Sequence, residues 1–171
     1  WRGPMVMSAI EQLLRDVNWS NLDFLIIDMP PGTGDAQLTI SQRVQLAGAI
    51  IVSTPQDLSL IDARKGLNMF KKVNVPILGI IENMSYFECH NCNTKHEIFG
   101  NGGAQAEAEK LGVTFLNAIP LDISLRITSD EGNPIVNKEP KSSIAKKYIE
   151  IGSKILKQIE NKRIQAPQII Q

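Results

Sequence analysis

The chain holds two cysteines, Cys89 and Cys92, set three residues apart in Cys89-His90-Asn91-Cys92. A disulfide across so short a loop would constrain little of the unfolded chain. A Cys-x-x-Cys pair in an otherwise cysteine-free chain reads instead as a metal or redox site in a reducing compartment. Two thiolates at this spacing can grip one metal from a single loop, but zinc and iron–sulfur clusters normally take four protein ligands. Three completions are open. His90 and His96 could finish a mononuclear zinc site, although an exposed, solvated role suits each histidine as well. A second copy of the chain could bring two more cysteines to a two-fold axis. A redox dithiol ranks last, because such pairs usually open a helix after a strand. Here the pair lies in a connection rich in Asn, Glu and His.

A second group is Asp28-Met29-Pro30-Pro31-Gly32-Thr33-Gly34-Asp35. An acid closing an apolar run is how phosphate-transferring sites hold Mg²⁺, usually through water. Pro30 and Pro31 followed by Gly32 and Gly34 make a rigid turn whose N–H groups can approach a phosphate. Asp28 and Asp35 are therefore the candidate catalytic acids. The competing reading is a plain turn, with Asp35 as a helix cap. A third group comprises Asn83 and the turn Pro120-Leu121-Asp122. An Asn side chain offers a donor and an acceptor suited to the N6/N7 edge of adenine. The turn can add backbone and carboxylate contacts to the same nucleoside. Taken alone, each also fits an ordinary turn.

These groups need elements to position them. Met5 to Val17 has apolar residues at helical spacing, and Gln37–Leu46, Leu60–Lys72 and Ala104–Leu111 are helix-length segments. Ser142–Lys162 reads as a closing amphipathic helix. Four apolar runs, Leu22–Asp28, Ala49–Ser53, Pro76–Ile81 and Val113–Ile119, predict strands. They are continuously apolar rather than alternating, as strands covered on both faces are. Strand and helix alternate, which predicts an α/β fold with a mostly parallel sheet flanked by helices. In such folds ligands gather past the carboxyl ends of the strands, where the second and third groups lie.

The composition fits one globular domain: 171 residues, 43% apolar and 21% charged. Residues 1–164 are expected to form that domain, or the C-terminal part of it, and 165–171 a frayed tail. Eighteen basic residues balance eighteen acidic ones, so net charge gives no reason to expect nucleic acid or an anionic membrane as the main partner. The chain opens on Trp1, which suggests that its natural N-terminus lies upstream.

Several stretches together resemble the Mrp/ApbC family. They are Trp1-Arg2-Gly3-Pro4-Met5, Asp28 through Asp35, Ser53-Thr54-Pro55-Gln56-Asp57, Val75-Pro76-Ile77-Leu78-Gly79, Glu82-Asn83-Met84-Ser85, Cys89-x-x-Cys92, Ile98-Phe99-Gly100 and Ile119-Pro120-Leu121-Asp122. The likeness runs over roughly residues 1 to 150 and in the same order. That family includes bacterial carriers and mitochondrial Ind-type proteins serving respiratory complex I. The resemblance implies a MinD/ParA-like P-loop ATPase fold and transfer of iron–sulfur clusters to apo-proteins, in the cytoplasm or, alternatively, the mitochondrial matrix. It implies that Cys89 and Cys92 hold a [4Fe–4S] cluster bridging a homodimer, where zinc can substitute. Asp28 matches the Walker B acid that serves Mg²⁺, and Pro30 through Asp35 the segment sensing the γ-phosphate of ATP. Asn83 and the turn Pro120–Asp122 match adenine- and ribose-side contacts. One departure is large: the family's Gly-Lys-Gly-Gly-x-Gly-Lys-Ser/Thr loop has no counterpart here. Either the chain is the C-terminal portion of a longer protein or it is a homologue unable to hydrolyse ATP. The alternatives are a partitioning or positioning ATPase of the ParA/MinD type, which gives the cysteines no role, and a zinc-stabilised fragment without turnover.

Overall fold

The computed structural model describes residues 3–29, 32, 34–89 and 91–165. A first helix, α1 (Gly3–Arg15), is followed by α2 (Asp35–Arg43), β1 (Ala49–Ser53), α3 (Asp57–Lys72) and β2 (Ile77–Glu82). A two-stranded hairpin, β3 (Phe87–Glu88) and β4 (Lys95–His96), leads to α4 (Gly103–Leu111) and β5 (Phe115–Ala118). The chain closes with α5 (Ile123–Asp130), α6 (Ile135–Lys138) and the long α7 (Ser143–Gln165).

β1, β2 and β5 form a parallel sheet with β2 in the middle, placing Ser53, Glu82 and Ala118 side by side at its carboxyl edge. The continuous apolar character of these strands has the expected cause. Ile51 and Ile80 pack with Leu60, Leu67 and Phe70 of α3 and Ala104 and Ala108 of α4 on one face. Ile50, Ile81 and Leu116 pack with Ile151 and Ile155 of α7 on the other. Full burial of such a side chain contributes roughly 1.5–3 kcal/mol. Polar ties fix the helices: Arg64 of α3 pairs with the buried Glu107 of α4 at 2.6 Å. From α7, Lys154 donates to the Leu116 carbonyl at 2.6 Å and Gln158 to the Leu78 carbonyl at 2.8 Å.

Three of the four expected strands form, within two residues of their expected bounds. The fourth does not. Leu22–Asp28 is an irregular, largely exposed segment that pairs with no strand among the described residues, and Ile26 is 82% exposed. A strand needs a neighbour to take its backbone hydrogen bonds and a layer to bury its side chains. Among the described residues β1, β2 and β5 pair only with one another, and after this segment Met29 packs against the core. The helices α5 and α6 and the β3–β4 hairpin lie in stretches for which the sequence predicted no element. The expected frayed tail falls, beyond Gln165, outside the described residues.

Candidate functional site: a cysteine hairpin beside the strand ends

Glu82 ends the central strand with its side chain turned inward and 1% exposed. Its carboxylate accepts from the Ala104 amide at 2.8 Å and from the Ser85 hydroxyl at 2.5 Å. A buried carboxylate is costly unless its lone pairs are met. The first turn of α4 supplies an orphan N–H and the positive end of a helix dipole. This tie fixes both the start of α4 and the turn that follows β2.

That turn carries Asn83. Its amide donates to the Ser53 carbonyl at 2.7 Å, and its side-chain oxygen accepts from the Met84 amide at 2.9 Å. Met84 is held at a φ of 52°, a left-handed backbone that the Asn83 carbonyl steadies. Ser85 then donates to the Ile119 carbonyl, and Leu121 donates to the Tyr86 carbonyl at 2.7 Å. Phe87 and Leu121 add a parallel bridge. The segment after β2 is thereby laced to the turn after β5. Within that turn Pro120 is buried, and Asp122 caps α5 by accepting from the amides of Ser124 at 2.7 Å and Leu125 at 3.4 Å.

The laced segment runs straight into the cysteine hairpin. At its tip Cys89 donates its amide to the Thr94 carbonyl at 3.0 Å and accepts from the Asn93 amide at 2.8 Å. Asn93 adopts a φ of 56°, as the reversal of so tight a turn requires. Cys89 is half-buried and Cys92 exposed. The Cys92 sulfur lies 3.2 Å from the Thr94 hydroxyl. Hydrogen bonding by the Thr94 side chain, then by its backbone and by Cys89, holds the Cys92 thiol below its ordinary 9.0. Behind the hairpin is a cavity of about 150 Å³ walled by Tyr86, Cys89, Asn93, Leu121, Asp122 and Ile144. Lys95 and Lys147 bring their ammonium groups to 4.9 and 5.9 Å of the Tyr86 ring, inside the range of cation–π attraction.

The structure therefore brings Asn83, Pro120, Asp122, Cys89 and Cys92 to one edge of the sheet. Asp28 is not at a strand end, because the strand expected to carry it does not form; it sits exposed on the Leu22–Asp28 segment. Gly32 has a φ of 99°, Gly34 is the residue before α2 and Asp35 is the first residue of that helix. Pro30, Pro31 and His90 lie outside the described residues. His96 is turned toward Phe87, with ring centroids 6.4 Å apart. Among the described residues no three His, Cys, Asp or Glu side chains converge as a metal set. Among the described residues the donor set here is thus two thiols. Thr94 and Tyr86 were not singled out from sequence. A hydroxyl two places after the second cysteine was the available signal for Thr94, and nothing marked Tyr86.

A family model described as ParA, NUBPL iron-transfer P-loop NTPase, matches residues 1–156. The chain belongs to this NUBPL iron-transfer P-loop NTPase family. The iron-sulfur cluster transfer protein NUBPL of Dictyostelium discoideum is 54% identical over 99% of the chain and 54% of that protein's length. The NUBPL-family chain thus spans about half the length of the curated relatives it matches. A nucleotide-binding protein of Archaeoglobus fulgidus, solved in complex with ADP, superposes with a TM-score of 0.71 at 41% identity, covering 81% of this chain and 56% of that one. The Pyrococcus furiosus cell division ATPase MinD gives 0.64 at 25% identity, over 90% and 57%. The fold is accordingly MinD/ParA-like, a parallel sheet flanked by helices. No helix among the described residues is long and apolar enough to cross a membrane.

Proposed function

We propose that this chain carries an iron–sulfur cluster on Cys89 and Cys92 and passes it to apo-proteins. The observation that carries the reading is the presentation of two thiols on the tip of the β3–β4 hairpin, one of them exposed and held toward its thiolate. The names of the relatives point the same way. One chain offers two sulfur ligands and a [4Fe–4S] cluster takes four, so the cluster is shared by two copies across a two-fold axis. A cluster held at such an interface is accessible and labile, which suits a carrier. Four thiolates in a tetrahedron also suit zinc, so zinc is the expected contaminant. Free thiols of this kind belong in a reducing compartment, the cytoplasm or alternatively the mitochondrial matrix.

Adenine nucleotide is the second ligand of this reading. Asn83 and the Pro120–Asp122 turn take the base and ribose side, Pro30 through Asp35 senses the γ-phosphate, and Asp28 serves Mg²⁺ when the Leu22–Asp28 segment, exposed in this structure, is packed. The laced turns after β2 and β5 support this, as does the ADP in the Archaeoglobus structure. The positioning-ATPase alternative leaves the hairpin without a purpose.

Anaerobic reconstitution with iron and sulfide, followed by elemental counting and mass measurement, tests the proposal. About four iron and four sulfide per dimer are expected, lost together with the dimer in Cys89→Ala or Cys92→Ala. A monomer holding a full cluster, or a double variant that still holds one, would contradict it.

A further inference from the structure

The two cysteines are not equivalent. Cys89 is built into the hairpin: its amide and carbonyl are both bonded across the turn, its body is half-buried, and it walls the cavity behind the hairpin. Cys92 stands exposed at the tip, and its thiol donates to the Thr94 hydroxyl at 3.2 Å. When the sulfur is a thiolate the same contact reverses, with the hydroxyl donating. Thr94 cannot easily leave this position, because its carbonyl is held by the Cys89 amide at 3.0 Å.

We infer that Cys92 is the leaving ligand when the cluster is handed on, that Thr94 is the positioning residue that makes it so, and that Cys89 is the anchor. The inference rests on the cluster-carrying reading above. A hydrogen bond to a coordinated sulfur draws electron density from it and weakens its donation to iron. Of the two iron–sulfur bonds made by one chain, the one to Cys92 is then the weaker. A recipient thiolate approaching the exposed tip forms its bond to iron as the Cys92 bond breaks. One thiolate enters and one leaves, so no electron changes hands and no oxidant or reductant is needed. The departing thiolate is received by the Thr94 hydroxyl, and the cluster stays tethered by Cys89 until the next exchange. Cys89 is half-buried and offers an incoming group less approach than the exposed Cys92.

The test uses the chain with Thr94→Val, which keeps the shape and removes the hydroxyl, and Thr94→Ser, which restores it. Each is loaded with Co²⁺ and, separately, with the reconstituted cluster. Thr94→Val should move the sulfur-to-cobalt charge-transfer band to longer wavelength and the cluster potential to a more negative value. It should also slow cluster release to an added dithiol. Thr94→Ser should match the parent in all three. Identical bands and potentials in parent and Thr94→Val, or a Thr94→Ser that behaves like Thr94→Val, would overturn the role of Thr94 and leave the carrier reading standing. A parent that takes up neither Co²⁺ nor cluster would remove both. Because Thr94 is exposed, neither substitution should disturb folding, and unchanged far-ultraviolet dichroism verifies this.

Discussion

Cys92 shows how far one neighbour can set the chemistry of a side chain. Its thiol is fully accessible, so burial does little, and the hydrogen bonds from Thr94 favour the charged form. An acid whose ionised form is stabilised ionises at lower pH. The thiolate should therefore appear, as pH rises, before the ordinary 9.0 of a free thiol. In the metal-free chain, iodoacetamide modification of Cys92 followed by peptide mass spectrometry should reach half its maximal rate below that pH. Thr94→Val should move the midpoint upward, toward 9.0. A midpoint that ignores the substitution would mean that Thr94 does not hold the sulfur in solution. At this scale the sequence supplied candidates: Cys89 and Cys92 from their spacing, and Asn83 from its place after an apolar run. It was silent on what those side chains touch, since Thr94 acts through the geometry of a turn that spacing does not report.

The elements that carry these side chains depend on close approaches that tolerate little change. Gly103 opens α4 against the segment after β1, and a β-carbon there would lie 2.6 Å from the Pro55 carbonyl oxygen and 2.9 Å from Leu60. Backbone cannot step aside as a side-chain tip can, so Gly103→Ala should displace the start of α4. It should thereby strain the bond from Ala104 to the buried Glu82. Overpacking of this kind costs about 1–3 kcal/mol. Its neighbour Gly102 provides a control. Gly102 has a φ of 66° with open space around it, so Gly102→Ala carries only the backbone penalty, about 1–2 kcal/mol. Urea unfolding should place Gly103→Ala at or below Gly102→Ala. The reverse order would show that α4 slides freely on Pro55. The elements legible in sequence were those with periodic or apolar signals of some length: α1, α2, α3, α4, α7 and the three paired strands. The hairpin strands are two residues each, too short for any periodicity. α5 announces itself chiefly by its cap, Asp122, which sequence reading had assigned to a ligand.

Over the whole molecule, the misread strand is the most instructive part. Leu22–Asp28 has the composition of a buried strand, and composition was all that sequence could weigh; whether a partner strand stands beside it is a property of the assembled sheet. In this structure Leu22, Phe24, Leu25 and Ile26 face solvent, and so does Val52 of β1, an edge strand of the described sheet. Neighbouring exposed apolar side chains make an adhesive surface, and an unpaired strand edge adds to it. Side chains already in water contribute no burial energy to folding. Replacing them should therefore change association without changing stability. The double substitution Phe24→Ser with Ile26→Ser should keep the chain monodisperse at concentrations where the parent aggregates, as read by light scattering. Its unfolding free energy should stay within roughly 0.5 kcal/mol of the parent, the usual range for surface changes. If stability fell by several times that amount, the segment would be packed in solution. Asp28 would then be held where a phosphate-bound Mg²⁺ needs it, and the sequence reading of this stretch would be restored.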